Sequence, residues 1–183
     1  NGGAPSLVPV KPVSAVTELV RGRDEEILLR NVTFTEPPAW FRYAPGGKQA
    51  GKVQKTALVV TSPVDFSDID VERHQVASKD GTKVPLTLLH KKGIKLDGKN
   101  PTLLTGYGGF GVSLTPGFGV IRRVWLEQGG VIAIANLRGG GEFGEEWHKG
   151  GNLLNKQNVF DDFIACAQHL IDSAVTSPAK PAI

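Results

Sequence analysis

Two glycine-rich segments constrain this chain more than any other feature, because each directly follows a short apolar run. The first, Gly106–Gly111, follows residues 101–105, and the second, Gly139–Gly144, comes soon after Val131–Ala135. Val131–Ala135 is continuously apolar, as is typical of a parallel strand that is covered on both faces. Glycine lets the backbone turn tightly where such strands end, and open α/β sheets bind ligands at the carboxyl ends of their strands. Two explanations of the glycines are therefore compatible: they allow tight turns at the ends of the strands, and these strand ends are where a ligand site is expected.

The residues from position 66 onwards predict an alternation of strands and helices. One helix is expected to begin at Thr115-Pro116, a good N-cap and first-turn pair, and to be capped by Gly129-Gly130. A second helix is expected to carry Asp161 and Asp162 in its first turn, where the helix dipole favours acidic groups. Its apolar stripe consists of Phe160, Phe163, Ile164, Ala167, Leu170 and Ile171. We expect Ser177-Pro178 to end this helix and a buried strand to begin at Pro181, which gives half of an open parallel sheet.

The residues before position 66 are predicted to form short strands separated by proline and glycine. Runs of β-branched and aromatic residues predict these strands at 27–34, 40–43 and 57–60. Further along, residues 71–78 and 83–91 flank Asp80-Gly81, a strong signal for a hairpin with a type I′ turn. We therefore divide the chain into a β-rich segment, residues 1–65, and an α/β segment, residues 66–183.

Composition excludes several classes of function. The net charge is only +3 over 183 residues and the lysines are scattered, so no nucleic-acid partner is expected. No apolar run reaches the roughly 18 residues that span a bilayer, so no membrane partner is expected. The single cysteine, Cys166, excludes an internal disulfide and is expected to pack on a helix. The chain has no methionine, so we expect the true N-terminus to be missing; a cytoplasmic location is predicted, with the periplasm or secretion left open.

Nucleotide binding is one interpretation of the glycines. Both Gly106-x-Gly108-x-x-Gly111 and Gly139-x-Gly141-x-x-Gly144 match the dinucleotide fingerprint in spacing. That fingerprint requires a helix to open at once, so that its free amides meet the pyrophosphate. After Gly111 the predicted helix is delayed to Pro116, and after Gly144 two glutamates would repel a phosphate. We therefore expect no nucleotide cofactor.

No catalytic or metal-binding set is complete in the sequence. No serine lies in Gly-x-Ser-x-Gly, and the histidines accompany no nucleophile pattern. His148 with Glu145 or Glu146 departs from the His-Glu-x-x-His spacing, so a capped, solvated loop is favoured over a metal site. Trp147 is predicted to be a packing anchor.

Several segments resemble the prolyl oligopeptidase family of serine peptidases. The resemblance covers about residues 63–183, and its most specific motifs are 79–85, 90–93, 106–110, 138–149 and 155–163. Tyr-Gly-Gly-Phe at 107–110 favours this family over its oligopeptidase B relatives, which tend to have Tyr-Gly-Ser-Tyr there. The resemblance implies part of an α/β-hydrolase sheet with helices, preceded by strands that resemble the last part of a β-propeller.

The family resemblance also implies a chemistry. Members hydrolyse short peptides after proline with a Ser-Asp-His triad and no cofactor. Tyr107 matches the tyrosine whose hydroxyl helps to form the oxyanion hole, and Phe110 matches an aromatic residue that lines the substrate pocket. The nucleophile and the other triad residues fall beyond Ile183, so we expect this chain to be inactive alone.

Two positions depart from the family pattern. Thr105 stands where an aromatic residue is usual, and Pro181 stands where an apolar residue with a free N–H is expected. The alternative interpretation is a non-catalytic fragment that binds peptides or a protein partner.

Overall fold

The computed structural model describes residues 7–46 and 51–182. Ile183, which the sequence argument uses, and parts of the β-rich segment 1–65 lie outside the described residues. The chain divides into two compact units. The β unit runs to Asp65 and includes Pro116–Val120, and the α/β unit comprises Phe66–Thr115 and the residues from Ile121 onwards. The identity of the first unit as the end of a β-propeller, and of the second as half of a hydrolase domain, stays a prediction.

The β unit is a four-stranded antiparallel sheet in the order β1-β2-β3-β4. Its strands are β1 Ser14–Arg21, β2 Ile27–Thr33, β3 Ala39–Tyr43 and β4 Val53–Val59. The predicted strands are therefore present, although β4 begins earlier and ends one residue sooner than expected. The sequence analysis did not single out β1, because its register shifts between Val16 and Glu18. A bulge there breaks the alternation of apolar and polar residues by which a strand is recognised.

The α/β unit contains a five-stranded mixed sheet in the order β5-β6-β8-β7-β9. Its strands are β5 Ile69–Ala77, β6 Lys83–Lys91, β7 Thr102–Gly106, β8 Val131–Ala135 and β9 Pro181–Ala182. Strands β7, β8 and β9 run parallel, while β5 and β6 form the predicted hairpin and β6 pairs with β8 antiparallel. All five residues of β8 are buried, as predicted. The helices are α1 Arg122–Glu127, α2 Glu145–Lys149 and α3 Gln157–Asp172.

Helices α1 and α3 cover opposite faces of this sheet. The connection through α1 leads from β7 to β8, and the connection through α3 leads back past β7 to β9. Connections between parallel strands are right-handed in nearly all proteins, and these two run in opposite directions along the sheet, so helices on opposite sides are expected. The side-chain contacts support this placement of the two helices. Leu104 shares a core with Leu170 of α3, whereas Leu103 and Ile132 line a cavity together with Trp125 of α1.

The prediction for α1 was wrong at its start. The helix begins at Arg122, well after Thr115-Pro116. The preceding residues are held in an irregular path, because the Leu114 N–H donates to Glu142 (3.0 Å) and the Leu114 carbonyl accepts from the Asn136 amide (2.8 Å). The predicted cap is confirmed: Gly129 N–H donates to Leu126 O and Gly130 N–H to Trp125 O, at 3.1 and 3.2 Å, a Schellman motif.

The type I′ turn predicted at Asp80-Gly81 was also wrong. That turn requires positive φ at both central residues, and here Gly81 alone has it, at +85°. The Gly81 N–H donates to Ser78 O at 2.9 Å and the Ser78 N–H to Thr82 O at 2.8 Å, so the loop has three residues, 79–81, and ends at the left-handed Gly81. The physical reason lies in the Asp80 carboxylate, which accepts from the Thr82 N–H at 3.0 Å and pairs with Arg138.

Helix α3 is present as predicted, but it presents a different face. It begins at Gln157, so Asp161 and Asp162 lie beyond its first turn, and it ends at Asp172 before Ser177-Pro178. Its buried residues are Val159, Asp162, Cys166 and Leu170, while Phe160 and Ile164 of the predicted stripe are exposed. Cys166 is packed on this helix as expected, and burial raises the pKa of its thiol to about 12.

Strand β9 differs from its prediction in burial. Pro181 and Ala182 pair with Thr102 and Leu103 of β7, but both are exposed because β9 forms an edge of the sheet. Pro181 occupies the first position of the strand, where the missing N–H is tolerated. None of the helices in the described part of the chain combines the length and the apolar character that crossing a membrane requires.

Candidate active site

The two glycine segments leave neighbouring strands at the carboxyl edge of the parallel sheet. Gly106–Gly111 follows β7, and Gly139–Gly144 follows β8. Their connections lead to helices on opposite faces, α1 and α3, so the two segments diverge from this edge. Open α/β sheets bind ligands where neighbouring strands diverge in this way. The predicted location of the site is therefore the one that the topology favours.

The two glycine segments pack backbone against backbone. The Gly111 N–H donates to the Gly139 carbonyl at 3.0 Å. A Cβ atom at Gly139 would lie 2.6 Å from the Gly108 oxygen, and one at Gly108 would overlap Val159. Gly108 also has a φ of +59°, a conformation that favours glycine. The glycines are thus explained by the close approach of two loops over the start of α3.

Tyr107 and Phe110 stand side by side on the first of these loops. Their ring centroids are 6.5 Å apart with the planes tilted by 38°. Tyr107 is 51% exposed and Phe110 is 90% exposed, which is unusual for aromatic side chains on a well-anchored loop. Phe110 also has a φ of +52°, which is rare for a bulky residue. Such outliers concentrate at functional sites.

Thr105 and His148 support the loops and do not add a reacting group. Thr105 aligns with Ile134 of β8 in the parallel ladder. The His148 ring donates from Nδ1 to the Gly139 carbonyl (2.8 Å) and accepts at Nε2 from the Asn152 amide (3.2 Å). Both ring nitrogens of His148 are therefore occupied by hydrogen-bond partners.

The acidic residues of α2 do not gather around His148. Glu145 and Glu146 instead form ion pairs with Lys149, at 3.7 and 3.4 Å. Within residues 7–46 and 51–182, no three His, Cys, Asp or Glu side chains are grouped so as to hold a metal ion. Trp147 is the predicted packing anchor: its Nε1 donates to Leu137 O at 3.0 Å and its ring packs against the core.

A buried ion pair that the sequence analysis missed lies beneath the site. Arg138 is 6% exposed and Asp162 is 0% exposed. The Arg138 guanidinium donates to Asp162 from Nε (3.0 Å) and from Nη2 (2.6 Å), and the Arg138 backbone N–H adds a third bond at 3.1 Å. The other side of the guanidinium meets Asp80 and, at 3.3 Å, Ser78 Oγ. One side chain therefore joins the loop after β8 to helix α3 and to the β5–β6 hairpin.

In this cluster, Arg138 and Asp80 each stabilise the charged form of the other. Hydrogen bonds from Arg138, and then from the Thr82 N–H, lower the pKa of Asp80 to about 2. Hydrogen bonds to Asp162, more than those to Asp80, raise the pKa of Arg138 above its usual value. A signal for the pair was present in the sequence. Asp162 lies between Val159 and Cys166 at helical spacing, and an acidic residue within such an apolar face requires a buried cation.

Comparison with known proteins identifies the family. The family model described as the prolyl oligopeptidase family matches residues 116–183. The chain is 40% identical over 156 residues to the prolyl endopeptidase of Elizabethkingia meningoseptica, an alignment that covers 84% of this chain and 21% of that protein. This chain belongs to the prolyl oligopeptidase family. It is also 49% identical to an uncharacterised peptidase of Rickettsia prowazekii, over 85% of this chain and 21% of that one.

Solved structures of the family confirm the predicted fold class. A chain from a study of two prolyl endopeptidases matches with a TM-score of 0.84 and 42% identity, over 96% of this chain and 26% of that one. A Galerina marginata prolyl oligopeptidase B structure, bound to a 25-residue macrocyclization substrate, matches with a TM-score of 0.80 and 35% identity, over 93% of this chain and 23% of that one. The chain thus spans about a fifth to a quarter of the length of the relatives that it matches.

The Arg138 cluster generates a stability prediction. We expect Asp162→Asn to lower the free energy of unfolding by about 3 kcal/mol, the lower end of the range for a broken buried pair, since Asp80 remains as a counter-ion. Asp80→Asn should cost no more than about 1 kcal/mol, because that carboxylate is 47% exposed. Urea unfolding at neutral pH measures both changes, with Asp161→Asn, one position away on α3, as the matched control. Equal losses in all three variants would contradict a special role for the buried pair.

The same cluster predicts how stability changes in acid. The pKa of Asp80 is lowered from 3.8 to about 2 in the folded state, so its stabilisation is present above about pH 4 and is lost as the pH falls towards about 2. The difference in unfolding free energy between the unaltered chain and Asp80→Asn should therefore shrink across that range. Urea unfolding at a series of pH values gives this difference. A difference that stays constant from about pH 5 to about pH 2 would show that Asp80 gains nothing from Arg138.

Proposed function

We propose that this chain supplies the oxyanion-hole tyrosine and part of the substrate pocket of a prolyl oligopeptidase-type serine endopeptidase. In the complete enzyme the reaction is hydrolysis of short peptides after proline, with a Ser-Asp-His triad and no cofactor. The observation that carries the proposal is the loop after β7. It exposes Tyr107 and Phe110 together at the point where neighbouring parallel strands diverge.

Tyr107 has the chemistry that this role requires. Attack on a peptide carbonyl creates a negative charge on its oxygen, and a positioned O–H donor stabilises that charge as it develops. The loop that carries Tyr107 is held at both ends: β7 precedes it, and the Gly111–Gly139 hydrogen bond at 3.0 Å closes it. A donor on a rigid loop needs little reorganisation at the moment of reaction, which is the basis of this form of catalysis.

Phe110 has the properties of a substrate-lining residue. Its ring is 90% exposed on the same loop as Tyr107 and offers an apolar surface to a side chain such as proline. Pockets for small ligands combine apolar and aromatic walls with a few placed polar groups. In this proposal Phe110 determines which residue is accepted, and Tyr107 acts on the carbonyl of that residue.

The proposal extends to the two units. Residues 1–65 are proposed to be the last part of a β-propeller, and residues 66–183 the N-terminal half of an α/β-hydrolase catalytic domain. The four-stranded antiparallel sheet of the β unit and the mixed sheet of the α/β unit support this division. The relatives named above are peptidases, and no observation favours a non-catalytic binding fragment. A cytoplasmic location stays a prediction from the sequence.

The chain by itself should not cleave peptides. Its serines lie outside any Gly-x-Ser-x-Gly motif, so the nucleophile of the proposed triad is not among its 183 residues. Incubation of the purified chain with a proline-linked chromogenic peptide should release no chromophore above the level of buffer. Release that survives Tyr107→Phe would mean that another group in the chain does the chemistry, and the proposed division of roles would fail.

In the complete enzyme, Tyr107→Phe should lower kcat by about 10²–10³-fold, the usual effect of losing one oxyanion donor. The ring remains to pack, so the thermal unfolding midpoint should change little. The chain offers a matched control, because its other tyrosine, Tyr43, lies buried in the β unit. Tyr43→Phe should leave kcat unchanged. A normal kcat in Tyr107→Phe would remove this residue from the oxyanion hole.

A further inference from the structure

A lysine holds the loop that carries Tyr107. The ammonium Nζ of Lys156 donates to the carbonyl oxygen of Gly108 at 2.8 Å. Lys156 immediately precedes helix α3, and Gly108 is the residue after Tyr107. The two are 48 positions apart in the sequence, so this contact exists only because the chain folds the start of α3 under the loop.

We propose that Lys156 is a positioning residue for Tyr107. By holding the Gly108 carbonyl, its ammonium fixes the Gly108–Gly109 peptide, one residue beyond Tyr107, and so restricts where the tyrosine hydroxyl lies. This inference rests on the proposed role of Tyr107 in the oxyanion hole. Lys156 itself contacts no reacting atom in this proposal and acts only through the loop.

Strand β7 holds the chain up to Gly106, and Lys156 adds a side-chain anchor on the other side of Tyr107. The Gly111 N–H bond to Gly139 O anchors the far end, beyond Phe110. At the near end Gly108 is buried with a φ of +59°, and its carbonyl oxygen meets the lysine. A hydrogen bond with a charged donor is roughly twice as strong as a neutral one. Loss of the ammonium would leave the near end without its side-chain anchor.

The position of Gly109 shows how close the ammonium comes to the tyrosine. A Cβ atom at Gly109 would lie 3.9 Å from Lys156 Nζ and 4.0 Å from Tyr107 Cε1. The ammonium and the tyrosine ring therefore flank the same point of the loop.

Lys156 has no ion pair that would explain its placement otherwise. Across the described residues 7–46 and 51–182, no carboxylate lies within ion-pair distance of its ammonium. Lys149, a nearby lysine on α2, is instead paired with Glu145 and Glu146. The two lysines form a natural test pair, one on the loop carbonyl and one in a surface ion pair.

The first test compares substitutions in the complete enzyme. Lys156→Met should lower kcat by about 10- to 100-fold, the effect expected when a catalytic group is displaced by up to about 1 Å. Lys156→Arg should recover most of that loss, since a guanidinium also donates to a carbonyl. Lys149→Met should leave kcat unchanged, and all three variants should share one thermal unfolding midpoint. A normal kcat in Lys156→Met, or a Lys156→Arg variant as slow as Lys156→Met, would overturn the proposal.

A double-mutant cycle tests whether Lys156 acts through Tyr107. If it does, adding Lys156→Met to Tyr107→Phe should change kcat by less than about twofold, because the hydroxyl that it positions is already gone. Losses that multiply would show an independent effect and overturn the proposal. An unchanged kcat in Tyr107→Phe would overturn the role of Tyr107 and this inference with it. A slow Tyr107→Phe enzyme with a fully active Lys156→Met enzyme would overturn this inference alone.

Discussion

The guanidinium of Arg138 lies buried between the carboxylates of Asp162 and Asp80, and the loops of the candidate site are built around it. Arg138 begins the glycine segment after β8, Asp162 lies on α3, and Asp80 lies in the β5–β6 turn. An unpaired charge at such depth would cost several kcal/mol, so the Arg138–Asp162 pair stabilises the packing of the loop after β8 on α3, and the more exposed Asp80 adds the β5–β6 turn. The pair also sets the rotation of α3, which places Val159 directly under Gly108.

The contacts of the loop after β7 follow from that rotation. Val159 lies beneath Gly108, and the Lys156 ammonium binds the Gly108 carbonyl oxygen. A side chain at position 108 would overlap Val159, so only glycine fits there. The loop then reaches Gly139 and leaves Tyr107 and Phe110 pointing into solvent. An anchored loop backbone that carries exposed aromatic rings is the arrangement that a preorganised binding and oxyanion site requires.

Several predictions failed where tertiary contacts replaced local preferences. Thr115-Pro116 is a sound helix start by local rules, yet Asn136 and Glu142 hold Leu114 in an irregular path and the helix begins at Arg122. Asp80-Gly81 favours a type I′ turn in an isolated hairpin, but Arg138 takes up the Asp80 carboxylate. Asp162 was predicted to lie in the first turn of α3, where the helix dipole favours an acidic group. Its spacing from Val159 and Cys166 instead placed it on the buried face of the helix. In each case a partner distant in sequence decided the outcome.

The sequence by itself determined most of the strands, the long helix, the glycine cap of α1 and the family, because each depends on residues that are close together in the chain. Alternating or continuous apolar runs specify strands, and the glycine motifs around Tyr107 carry the family resemblance. Only the tertiary structure decided which face of α3 is buried, why Gly108 and Gly139 must be glycine, and that Lys156 reaches the loop after β7. These features depend on contacts between residues tens of positions apart, and such contacts exist only after the sheet has brought its carboxyl edge together with α3.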